Sequence, residues 1–132
     1  MMRYLFSIIL TMLCVMPTLA DEPQGEIKFD KVINDFGKFS EKTPVQTCTF
    51  TFTNVGNAPL TITQCTASCG CTVPSYPEKP IAPGEKGSIK VTYNGKGRLP
   101  GTFKKVIQVA TNGKTRIVRL CIQGEMVSDT QK

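Results

Sequence analysis

Residues 46–54 read Gln46-Thr47-Cys48-Thr49-Phe50-Thr51-Phe52-Thr53-Asn54. Cys48, Phe50 and Phe52 recur at every second position, and threonine fills the positions between them. A period of two with an apolar side and a hydroxyl side is the pattern of a strand buried on one face. Asn54-Val55-Gly56-Asn57 then reads as a turn. Leu60 and Ile62 open a further strand that runs into a cysteine cluster. The same alternation returns downstream at Ile89, Val91 and Tyr93, at Ile107 and Val109, and at Val118, Leu120 and Ile122. The stretch before residue 46 is extended too, from 27 to 29 and from 32 to 39, with a kink expected at Gly37. Between these runs lie turn signals. Pro83-Gly84 fits the centre of a type II turn, where glycine supplies the positive φ. Asn112-Gly113 is a type I′ hairpin signal. Pro74, Pro77 and Pro80 mark an edge or a loop, because proline cannot donate to a ladder. β-Branched residues dominate and helix formers are scarce, so the domain is read as all-β. Six or seven short strands without an amphipathic helix form a β-sandwich.

Residues 1–20 read MMRYLFSIILTMLCVMPTLA. Arg3 precedes an apolar run that Pro17 breaks, and Ala20 supplies a small residue before an acidic, polar start. This is the layout of a cleaved signal peptide. The run falls short of the roughly 20 residues that span a bilayer, so no transmembrane helix is expected in the mature chain. The protein is therefore expected to be exported, to the periplasm or cell envelope. Residues 21–26 read as a loose N-terminal segment, 27–127 as the sandwich, and 128–132 as a polar tail.

The whole chain has 132 residues, 16 basic and 10 acidic, a formal charge of +6, and no histidine. That excludes triads with a histidine base and zinc sites with a histidine ligand. No glycine-rich phosphate loop appears. No catalytic residue and no cofactor is assigned, and a non-enzymatic protein is expected. Residues 86–124 hold nine basic residues and no acidic one. Lys90, Lys104, Lys105, Arg116 and Arg119 are the candidates for a basic face that would meet an anionic envelope component. The competing reading is a solvated sheet surface on which lysine discourages edge association. Nucleic acid is not expected as a partner, since no aromatic residues interleave the basic ones.

Of the six cysteines, Cys14 lies in the leader and five remain. Cys48 falls on the Phe50/Phe52 side and reads as a small buried hydrophobe. Cys121 falls opposite Leu120 and Ile122 and is expected near the surface. Cys69-Gly70-Cys71 needs an explanation of its own. The two thiols could form a redox-active disulfide. They could join Cys65 as ligands to a soft metal, although this spacing matches no common zinc pattern. They could also pair with distant cysteines and pin the loop. Ser68, Cys69, Gly70, Cys71 and Thr72 together form a candidate binding loop.

Five motifs point further: Asp35-Phe36-Gly37; Phe50-x-Phe52-x-Asn54-x-Gly56-x-x-Pro59-Leu60-x-Ile62; Ser68-Cys69-Gly70-Cys71-Thr72; Pro80-Ile81-Ala82-Pro83-Gly84; and Gly101-x-Phe103. In combination they resemble the bacterial family called domain of unknown function 1573, over roughly residues 27–127. The resemblance implies an exported, immunoglobulin-like antiparallel sandwich of about seven strands. It is similar to hydin and major-sperm-protein type domains, which serve mainly as protein-binding modules. Three roles follow as expectations: binding of another envelope protein or envelope component, a thiol-redox or soft-metal module centred on Cys69 and Cys71, or a structural spacer in an envelope assembly.

Overall fold

The computed structural model describes residues 22–129. Residues 1–21 and 130–132, and with them the expected leader at 1–20, lie outside the described residues. Eight strands follow in order: β1 (Ile27–Phe29), β2 (Ile33–Ser40), β3 (Val45–Asn54), β4 (Ile62–Ala67), β5 (Thr72–Ser75), β6 (Lys86–Asn94), β7 (Gly101–Thr111) and β8 (Ile117–Val127). One sheet has the order β1-β3-β6-β5 and the other β2-β8-β7-β4. Alternation in β3 works as read: Phe50 and Phe52 are fully buried, while Thr47 and Thr49 face solvent. Ile89 and Val91 of β6 join them from one sheet, and Ile107, Val109, Leu120 and Ile122 from the other. These inner faces make up the core between the layers.

Two elements go beyond the sequence reading. The first extended stretch divides between the sheets. β1 pairs with β3, the chain crosses over at residues 30–32, and β2 then pairs with β8. That crossing makes β2–β8 a parallel pair within an otherwise antiparallel sandwich. The proline-rich segment contributes β5, a four-residue edge strand that includes Pro74.

Asp35-Phe36-Gly37 forms the bulge in β2. The Gly37 N–H donates to the Asp35 carboxylate at 2.7 Å, and Gly37 takes φ 67°. This amide, with Gln123 second, holds the Asp35 carboxyl below its usual pKa. Register against β8 shifts there, and Phe36 reaches Phe103, with ring centroids 6.4 Å apart.

The expected type II turn is present: Gly84 has φ 82°, and the Glu85 N–H donates to the Ala82 carbonyl at 3.0 Å. The expected type I′ hairpin is not. Gly113 has no positive φ among the described residues. Instead a longer loop closes through Thr111, whose hydroxyl donates to the Thr115 carbonyl at 2.6 Å and accepts from the Gly113 N–H. Glycine is needed at 113 for space, because a Cβ there would lie 2.5 Å from the Gly25 carbonyl oxygen.

Residues 24–26 are not loose. Gln24 exchanges hydrogen bonds with Asn57, the Gly25 carbonyl accepts from Lys114, and the Glu26 carbonyl accepts from Val55. A backbone running beside the β3–β4 loop finds partners for its polar groups there, so it is held.

Candidate functional site

The chain leaves the edge of one sheet at the end of β4 and enters the edge of the other at β5, so residues 68–71 bridge the two layers at one side of the sandwich. Ser68 ends the ladder. Its N–H donates to the Val106 carbonyl at 3.0 Å, and its hydroxyl accepts from the Val106 N–H at 3.2 Å. Cys69 and Cys71 are joined in a disulfide. The Thr72 N–H donates to the Cys69 carbonyl at 3.1 Å, closing the loop, and Thr72 is 3 % exposed. The five residues of the candidate binding loop therefore form one continuous structure.

A second segment is tied to this loop. The Asn94 N–H donates to the Cys71 carbonyl at 2.7 Å. A turn follows at once, with Gly97 at φ 77° and the Arg98 N–H on the Gly95 carbonyl at 3.0 Å. The turn delivers the Arg98 guanidinium to Cys69 Sγ, with Nη2 at 2.8 Å. The Cys71 N–H donates to the same sulfur at 3.1 Å. Cys69 is partly exposed and Cys71 is buried. In the sequence, Arg98 is one basic residue among nine, and nothing local marks it as a partner of Cys69.

Cys65 does not join this cluster. It lies half-buried on the inner side of β4, opposite Val109. Among the described residues no group of three potential ligands could hold a metal ion, so the proposed set Cys65, Cys69 and Cys71 is not assembled. Cys48 and Cys65 are free thiols whose pKa values burial raises from 9.0 to about 11; for Cys48, Lys31 opposes the shift. Their thiolates at pH 8 are then about 100-fold scarcer than those of ordinary thiols. Brief iodoacetamide treatment followed by peptide mass spectrometry should find both sites labelled about 100-fold more slowly in the folded protein than in urea. A thiol with a raised pKa stabilises the fold fully below its unfolded pKa. That contribution falls as pH rises from about 9 towards 11.

Cys121 was expected near the surface, and it is 9 % exposed. It does lie on the outer side of β8, but β8 is flanked on both sides. Ile33 of β2 and Val106 of β7 stand beside Cys121 in register and cover a small side chain.

The five residues of the candidate basic face do not share one surface. Lys104 and Arg119 share the outer side of the β7–β8 ladder. Lys90 stands on the outer side of the other sheet, opposite Thr49. Lys105 pairs with the buried Ile122 on the inward side, at the end of the layer, and Arg116 lies in the β7–β8 loop. Alternation assigns each residue a side of its own strand, and sheet order then separates them.

The four sheet edges differ. β1 has three residues, β5 contains Pro74, and β2 carries the bulge with Asp35 and Lys38. Short strands, proline, charges and bulges all hinder strand pairing. β4, Ile-Thr-Gln-Cys-Thr-Ala, has no charge and no proline, and after a register shift between Ile62 and Gln64 it runs regularly to Ala67. Counted from the Ser68–Val106 bond, antiparallel alternation turns the backbone groups of Cys65 and Ala67 outward.

Two four-stranded layers around one core define the class: an immunoglobulin-like β-sandwich. The chain belongs to the family described as Protein of unknown function (DUF1573), whose model matches residues 27–126. It is similar in structure to a protein of unknown function from Porphyromonas gingivalis W83, with a TM-score of 0.69 at 16% identity over 85% of this chain. The chain spans about half of that protein, 51% of its length. It is also similar to the ASH / PapD-like domain 7 of human CEP192, with a TM-score of 0.65 at 8% identity, covering 86% of this chain and 94% of that domain. The YadV chaperone matches with a TM-score of 0.53 at 18% identity, over 80% of this chain and 53% of its own. At these identities the likeness concerns the fold. No curated protein matches in sequence.

Proposed function

We propose that this chain is an exported binding module of the bacterial periplasm or envelope that takes up an extended segment of another envelope protein along β4. The carrying observation is the contrast among the edges: β4 alone among them lacks proline and charge and exceeds four residues without a central bulge. A strand added there would bond the outward groups of Cys65 and Ala67, and its side chains would meet Gln64 and Thr66, which are exposed. The leader-like residues 1–20 support export, and the shared sandwich fold suits a scaffold whose chemistry lies at its edges.

The test replaces Thr66 with a photoreactive residue and irradiates cells exporting the protein. A protein adduct is expected from position 66, and none from the outer-face position 49. Ala67→Pro removes one outward N–H without touching a ladder bond, and it should reduce the adduct about tenfold, roughly the cost of one hydrogen bond. An adduct that survives Ala67→Pro unchanged, or one formed with lipid or glycan, would sink this reading.

A further inference from the structure

We propose that Cys69–Cys71 is a thiol–disulfide exchange centre in which Arg98 holds Cys69 as the thiolate, acting on a dithiol or disulfide of a partner protein. This is independent of strand addition at β4. Two donors converge on one sulfur: Arg98 Nη2 at 2.8 Å and the Cys71 N–H at 3.1 Å. The other sulfur, Cys71 Sγ, has only the Thr72 hydroxyl at 3.7 Å. A guanidinium and an aimed N–H both favour sulfur in its anionic form. Among the described residues no ion pair engages Arg98 elsewhere. Cys69 is also the more exposed residue of the pair, since Cys71 is buried. A Cβ at Gly70 would meet nothing within 4 Å beyond its chain neighbours, and Gly70 is exposed at the tip of the loop.

The asymmetry assigns the steps. A thiolate of the partner's dithiol attacks Cys69 Sγ. The Cys69–Cys71 bond breaks, its electron pair goes to Cys71 Sγ, and Cys71 takes a proton. The partner's second thiolate then attacks its own sulfur in the mixed disulfide. Cys69 leaves as the thiolate against Arg98, which makes it the better leaving group. The partner ends as a disulfide and the pair as one thiol and one thiolate, with the second proton released to solvent. Run backwards, the Cys69 thiolate attacks a partner disulfide. Among the described residues no donor bonds the sulfur of Cys48 or Cys65, and burial keeps their thiols protonated, against the opposing charge of Lys31 at Cys48.

The purified, reduced protein is titrated with iodoacetamide from pH 5 to 9, and Cys69 alkylation is read by peptide mass spectrometry. Removing an adjacent cation is expected to raise the thiol pKa by at least about one unit. Arg98→Gln should therefore slow Cys69 alkylation about tenfold at pH 6.5 and move its pH midpoint up. Arg98→Lys should restore part of the rate. In a series of glutathione redox buffers the wild-type pair should open and close reversibly, and Arg98→Gln should shift that equilibrium about tenfold towards the disulfide. Thermal melts show whether each variant is folded. A Cys69 rate identical in folded wild type and Arg98→Gln would overturn the proposal. So would a disulfide that stays closed in every buffer.

Discussion

Asn54→Ala is expected to lower stability by about 3–5 kcal/mol, the largest loss from any single polar side chain in the fold. Asn54 is fully buried at the end of β3. Its two amide hydrogens donate to the carbonyls of Ala58 and Ile81, at 2.8 and 2.9 Å. Its oxygen accepts from the N–H groups of Glu26 and Gly56, at 3.1 and 3.0 Å. An asparagine side chain offers two donors and two lone pairs, and all four are used. Alanine would leave the Glu26 and Gly56 N–H groups and the Ala58 carbonyl without their partner in a part-buried junction, each costing roughly 1–3 kcal/mol less whatever water recovers, while the Ile81 carbonyl keeps its bond from the Leu60 N–H. Asn54→Asp would keep the acceptor but set carboxylate oxygen against two carbonyls, so it should not rescue. Asn57, whose side chain accepts one exposed bond from Gln24, is the comparison, and Asn57→Ala should cost less than about 1 kcal/mol. Urea denaturation measures both. Equal costs at the two positions would remove Asn54 from this central role.

Phe52 and Gly87 should behave as one unit. They face each other across the β3–β6 ladder, and the Phe52 ring lies over the glycine. A Cβ at 87 would fall 2.5 Å from the ring's Cζ. Phe52 is fully buried and meets Phe29 edge-to-face, with centroids 5.6 Å apart. Phe52→Ala is expected to cost about 3–5 kcal/mol, and Gly87→Ala about 1–3 kcal/mol through overpacking. Phe52→Leu deletes the ring atom that a new Cβ would strike. The double variant Gly87→Ala with Phe52→Leu should therefore lose less than the sum of its parts, by at least about 0.5 kcal/mol. Strict additivity in a double-mutant cycle would show that the ring does not rest on the glycine.

These two sites mark what could be read before the fold was known. Phe50, Phe52, Leu120 and Ile122 announce their burial by alternation, because side chains of a strand take opposite faces in turn. Pro83-Gly84 announces its turn because a type II turn requires positive φ at its third residue, which glycine adopts freely. Asn54 reads only as a turn residue, since its four partners come from three separate segments. Arg98 is hidden for the same reason: its meeting with Cys69 depends on the Asn94–Cys71 bond between distant stretches. For Cys121, periodicity tells which face the residue takes and nothing of which neighbours stand beside it. An Asn-Gly pair has two uses, and at Gly113 close approach outweighs torsion.

The parallel β2–β8 pair also has a mechanical meaning. Ile27 lies beside Asn54 and Val127 beside Ser40, so the first and last strands depart from opposite poles of the sandwich. Tension along the chain would slide β2 lengthwise past β8. Six register pairs would then resist together instead of opening one after another like a zipper. A module strung between two anchors would hold under stretch along this axis and peel readily if pulled sideways at β4.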